Sequence, residues 1–119
     1  MYQVENQMFG CPIEALSSIL GKKWIAAIIW NMQNQKLRFG ELQRKMEGCS
    51  KKVLLSQLDV LLQNQIIIKE KKTENNIMES VYFLSESGYE LLPIMKNMIE
   101  WSNHFLACGN MKKQKLMED

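Results

Sequence analysis

The chain has 119 residues, 46% hydrophobic and 24% charged, which is ordinary globular usage and argues against both disorder and a fibrous repeat. At this length one domain with a real core is expected, spanning 1–119 with its core at about 10–108, and two comfortable domains are not. The longest apolar run, Ile25 to Trp30, is six residues and too short to cross a bilayer; the opening MYQVENQMFG has no basic stretch followed by an apolar one, so no secretory leader is expected and a cytoplasmic address is.

The net charge of +2 is unevenly spread. Residues 36–72 carry nine basic against four acidic side chains, whereas residues 73–119 carry four against seven. A basic middle third fits a polyanionic partner. The three cysteines, Cys11, Cys49 and Cys108, lie far apart with no CxxC or Cys/His spacing, so neither a zinc site nor a disulfide framework is expected.

Pro12 suits a first helical position, and Ile13, Leu16, Ile19 and Leu20 form an apolar stripe that Gly21 ends. From Lys22, KKWIAAIIWNMQ predicts a second, central helix, with NQKLRF as its exit loop. Phe39 to Met46 predicts a short helix with Phe39, Leu42 and Met46 inward. Gly48 then supplies the positive φ of a tight turn. In SKKVLLSQLDVLLQ, Leu54, Leu58, Leu61 and Leu62 recur at helical spacing behind Ser50, a suitable N-cap. Two helices joined by a brief Gly-containing turn form a helix-turn-helix.

Beyond Gln63, IIIKEKK and SVYFLS have strand character, and Asn75 and Asn76 between them predict a hairpin. Ser87 and Glu90 match a capping box that opens a long helix to about Ala107. Its apolar residues occupy more than one face, so one face is expected to meet the core and another a second copy of the chain. The segment after Gly109 is expected to fray. The order of elements, mostly α with a small β-hairpin, predicts a winged helix-turn-helix.

The segments CPIEA, GKKW, LRFGEL, CSKKVLLSQLDVL, VYFLSESG and IEWSNHF, taken in this order over roughly residues 10 to 106, resemble the HxlR branch of the MarR-like winged-helix transcription regulators. The chain departs from that pattern at Gln65, where the family usually has Gly, and at ENNIM, where a Pro-Pro pair is common in the wing. The resemblance implies a homodimer built on the N- and C-terminal helices, an inverted-repeat operator in double-stranded DNA, and repression as the commoner mode.

This explains an oddity of the recognition segment. Lys51 and Lys52 occupy the first turn of a helix, where the dipole disfavours cations by about 0.3–1 kcal/mol each. Phosphates and acceptor-rich base edges in the major groove would offset that cost. Ser50, Lys51, Lys52, Val53, Ser56 and Gln57 are therefore the expected contacts at the recognition helix. Arg38 resembles the family arginine that would hold a backbone phosphate. Lys69, Lys71 and Lys72 on the hairpin, with Lys23 and Lys36, complete the basic candidates.

Ile13, Leu16, Met98, Trp101 and Phe105 are the expected dimer contacts. Cys11, at the start of the first helix, sits where the dipole favours a thiolate. The family resemblance implies that a cysteine here serves some members as a detector of quinones, aldehydes or oxidants, and Cys49 or Cys108 could close a disulfide with it. No cofactor or metal is expected, and a small-molecule or electrophile inducer is compatible with this reading. Catalysis is not expected: His104 is the lone histidine and no phosphate-binding loop is present. The competing readings are a winged helix with a small aromatic ligand in its dimer cleft, where methionines could line a pocket, and a protein-binding adaptor that does not touch DNA.

Overall fold

A computed structural model describes residues 1–108 of the chain; the expected tail, 109–119, lies outside the described residues. Two short strands, β1 (Tyr2–Val4) and β2 (Gln7–Phe9), form an N-terminal antiparallel hairpin, with Glu5 in the left-handed region at φ 54°. It leads into α1 (Pro12–Leu20), which has Pro at its start and Cys11 at its N-cap. The hairpin is additional to the elements expected from the sequence.

The second helix, α2 (Ile25–Asn31), starts later than the apolar run from Lys22 predicts. Gly21 ends α1, and Trp24 then takes φ 76°, uncommon for a bulky residue. Lys22 and Lys23 therefore lie in a corner between two helices. From there α2 enters the interior, where Ile25, Ile28, Ile29 and Met32 are wholly inaccessible. Each such side chain contributes about 1.5–3 kcal/mol relative to exposure.

The predicted exit loop contains a two-residue strand, β3 (Leu37–Arg38), before α3 (Phe39–Lys45). Gly48, at φ 91°, turns the chain into α4 (Lys51–Gln63). Leu54, Leu58 and Leu61 of α4 join the α2 residues and Leu42 and Met46 in one core. The wing follows as β4 (Ile67–Glu74) and β5 (Ile77–Leu84), turning at Asn75 and Asn76, both at positive φ. Positive φ at both central residues is what a type I′ hairpin turn requires, and asparagine tolerates it. In the three-stranded sheet β5 is central, flanked by β3 and β4.

The long helix α5 (Glu86–Phe105) is capped by Ser85, whose Oγ accepts from Gly88 N at 3.2 Å. The expected cap, Ser87, lies inside the helix and donates to the Gln65 carbonyl at 3.0 Å. Pro93 sits in the helix interior, where it has no N–H to offer the preceding turn. Among the described residues no helix is long and apolar enough to cross a membrane.

The C-terminus of α4 explains how Gln65 stands in for the family glycine. The amides of Gln65 and Ile66 donate to the carbonyls of Leu62 and Leu61, both at 3.0 Å, the reciprocal pattern of a Schellman cap. Such a cap needs a left-handed residue, and Gln65 adopts φ 59°. The Ser85 amide donates to the Ile66 carbonyl at 3.0 Å, and the Ser85 hydroxyl lies 2.7 Å from the Gln65 carbonyl. The approach is close enough that a Cβ on Gly88 would collide with the Ile66 carbonyl. Since a left-handed non-glycine residue costs about 1–2 kcal/mol, Gln65→Gly is expected to stabilise the fold by up to about 1 kcal/mol once the extra unfolded-state entropy is subtracted. Urea denaturation would check this, read as a higher midpoint at unchanged slope.

Candidate nucleic-acid interface

Ser50 caps α4 by accepting from Val53 N at 3.1 Å, so its hydroxyl holds the helix start in place. Lys51 and Lys52 are exposed directly beyond it and, among the described residues, neither forms an ion pair. The partial positive charge of the helix start and the two ammonium groups therefore add, and the site attracts anions. With the leucine stripe turned inward, the helical period places Lys52, Ser56 and Asp59 on the outward face. Val53, 40% exposed, and Leu55, 47% exposed, flank it.

Gln57 differs from expectation. Its amide nitrogen donates to the Lys23 carbonyl at 2.7 Å, tying α4 to the α1–α2 corner. The Lys23 ammonium lies 5.2 Å from the Trp24 ring centroid in that same corner, and Trp24 also packs over Gly48 in the turn before α4. The sequence reading missed Leu55, which lines a cleft with Lys51, Gly40, Ser80 and Tyr82 between α4 and the wing. It is one leucine among several in a leucine-rich segment, and only its position off the buried stripe distinguishes it.

Strand register sorts the remaining basic candidates. Lys69 pairs with Tyr82 and Lys71 with Ser80, so both share the sheet face that continues into the core. Lys69 stands 5.9 Å from the Tyr82 ring centroid. Lys72 pairs with Glu79 on the opposite face. Arg38, expected to hold a backbone phosphate, is paired with carboxylates in this structure: its Nε is 2.9 Å from Glu79 and its Nη2 is 3.4 Å from Glu74. Lys36 lies 3.8 Å from Glu70 and 4.3 Å from the Phe83 centroid. These partners lie more than thirty residues away in sequence, beyond the reach of local pattern.

The cysteines are all free thiols. Cys11 is half-buried at the N-cap of α1, and its side chain makes no capping bond. Cys49, in the turn before α4, is pushed up by burial, with the Lys23 ammonium opposing that shift. Cys49 is thus a poorer nucleophile at neutral pH than an ordinary thiol. Cys108 is exposed just beyond α5.

The expected interface residues come together. Ile94, Met98, Trp101 and Phe105 follow one stripe of α5, and Trp101 and Phe105 have ring centroids 5.2 Å apart. Ile13, Leu16, Ile94 and Met98 line a groove of about 530 Å³ between α1 and α5. Ile13 is 75% exposed, Trp101 57% and Phe105 64%, an unusually large outward apolar surface for a small chain.

Residues 19–110 match the family model described as HxlR-like helix-turn-helix. The chain is 33% identical over 95 residues to the putative regulatory protein MalR of Fusobacterium mortiferum, covering 78% of this chain and 88% of MalR. It is 31% identical over 101 residues to the HTH-type transcriptional regulator YodB of Bacillus subtilis, covering 84% and 89%. The structure of reduced YodB superposes with a TM-score of 0.77 over 86% of this chain and 100% of that one, at 30% identity. The redox regulator HypR in its oxidised form superposes with 0.73 over 82% and 100%, at 28% identity.

Gln57→Ala removes a tie between two elements and should lower stability by about 1 kcal/mol, whereas Ser56→Ala on the outward face should stay within about 0.5 kcal/mol of the parent. Denaturant midpoints of the two variants, measured side by side, check the contrast.

Proposed function

Because the chain belongs to the HxlR-like helix-turn-helix family and is a DNA-binding transcriptional regulator, not an enzyme, we propose that it acts in the cytoplasm as a homodimeric repressor of an inverted-repeat operator. The observation that carries the reading is the pair Lys51 and Lys52, unpaired among the described residues at the positive end of α4. In this reading the two lysines approach phosphates and acceptor-rich base edges of the major groove, while Lys52 and Ser56 face the bases. A dimer joined through α1 and α5 sets its two α4 helices about 34 Å apart, one duplex turn, or a multiple of that. Burial of Ile13, Ile94, Met98, Trp101 and Phe105 supplies the association energy.

We assign Cys11 as the thiol that senses oxidants, in keeping with the redox regulation named for HypR. Cys108 is the better-suited second thiol, being exposed at the end of the dimer helix, whereas burial disfavours the Cys49 thiolate. Two thiols lose two electrons and two protons to the oxidant as the disulfide forms, and diamide accepts both to become its hydrazine. A small aromatic inducer in the α1–α5 groove is the second reading, favoured by that groove's apolar lining and ligand-sized volume.

Replacing Lys51 and Lys52 together by alanine should weaken binding to all duplex DNA and lower the salt slope of log K by about two units. Fluorescence anisotropy across a salt series reads both, and an unchanged slope removes the two lysines from the interface. On a non-reducing gel, diamide-treated protein should run as a covalent dimer with altered operator affinity. Cys11→Ser should do neither, and an identical response would overturn the sensor assignment.

A further inference from the structure

We propose that Arg38 positions the wing, and that the wing meets DNA with one face only, the face of Lys69 and Lys71. The inference rests on the DNA-binding function and goes beyond it in separating the cations that touch DNA from those that hold the reader in shape.

Three observations carry it. First, Arg38 is fixed at both ends: its amide donates to Glu41 Oε1 at 2.8 Å at the start of α3, and it pairs with Val81 in the β3–β5 ladder. Second, its guanidinium is committed to the wing. Glu79 lies two residues along β5 from Val81, hence on the same face, and meets Arg38 Nε at 2.9 Å; Glu74, near the tip of β4, meets Nη2 at 3.4 Å. One side chain thus spans both wing strands. Lower down, Lys36 pairs with Glu70 of β4 at 3.8 Å and stands 4.3 Å from the Phe83 ring of β5.

Third, the two faces carry opposite inventories. The face shared by Glu70, Glu74 and Glu79 carries three carboxylates, and the cations there, Arg38, Lys36 and Lys72, are taken up in balancing them. Across the sheet, the positions from Lys69 to Thr73 and from Met78 to Tyr82 that share the other face include no carboxylate. That second face adjoins α4, because Ser80 and Tyr82 line one cleft with Lys51 and Leu55, a cleft that the paired Arg38 and Glu79 also line. On this proposal DNA seated on the start of α4 meets Lys69 and Lys71, which share the face of Ser80 and Tyr82, while Arg38, committed to Glu74 and Glu79, holds the wing at its angle.

The two roles predict opposite signs. Removing a carboxylate beside a DNA site ordinarily tightens binding. If Glu79 serves as the Arg38 anchor, Glu79→Gln should instead weaken operator binding, by about two- to fivefold as expected for an exposed ion pair. Arg38→Gln should weaken it by the same factor with the salt slope unchanged, and the exchange Arg38→Glu with Glu79→Arg should recover most of the loss. Lys69→Ala with Lys71→Ala should lower the slope by about two units. Tighter binding by Glu79→Gln, or a slope reduced by about one unit in Arg38→Gln, would overturn the positioning role while leaving the DNA function standing. A parent protein with no salt-dependent affinity for duplex DNA would overturn the function and this inference with it.

Discussion

The presentation of α4 depends on the burial of three leucines. Leu54, Leu58 and Leu61 are at most 2% exposed and share a core with the fully enclosed Ile25, Ile28 and Ile29 of α2 and Met32 at its C-cap. Because these leucines recur at helical spacing, their burial fixes the rotation of α4 about its own axis, and the direction of Lys52 and Ser56 follows. The Ser50 cap and the Gly48 turn then fix where the helix begins. Hydrophobic burial supplies the energy, while the polar groups at the start supply the chemistry and contribute little to stability. The unfavourable placement of Lys51 and Lys52 is tolerated because its cost is small beside that of the buried stripe.

Electrostatics in the wing obey a different period. Side chains alternate across a strand, so the sequence Lys69-Glu70-Lys71-Lys72 deals its charges to two faces, and the register with β5 decides which carboxylates meet which cations. A slip of one residue would exchange the faces and carry Lys69 and Lys71 away from α4. β3 opposes such a slip, since it binds the far side of β5 and contributes Arg38 to the ion pairs, with Lys36 just ahead of it pairing with Glu70. The two residues of β3 thus do more for the charge pattern than their length suggests.

Much of this was legible in the sequence. The leucine stripe, the Gly48 turn, the Asn75-Asn76 hairpin and the apolar surface of α5 all follow from local periodicity and turn chemistry, and the structure has each of them. The N-terminal hairpin was not legible, because three-residue strands containing glutamines give almost no alternation to detect. The late start of α2 depends on the left-handed Trp24, which no propensity favours. Ser87 satisfies the capping pattern as well as Ser85 does, and only the backbone path from β5 separates them. At the candidate interface, residue types pointed to nucleic acid, the partner class that the family membership also gives, but the orientations of Gln57 and Arg38 depend on tertiary partners. The sorting of Lys69 and Lys71 from Lys72 was present in the strand's alternation and needed only the register to be interpreted.

The junction around Gln65 carries a mechanical consequence. Its carbonyl and that of Ile66 are gripped by Ser85 and Ser87, so the end of the recognition helix, the root of the wing and the head of the long helix are stapled at a single point. The staple ties the head of the long helix, whose far end carries the outward Trp101 and Phe105, directly to the reading head. In the proposed dimer, a modest change in how two copies lean together would then alter the spacing between their reading heads while leaving each head's internal geometry intact.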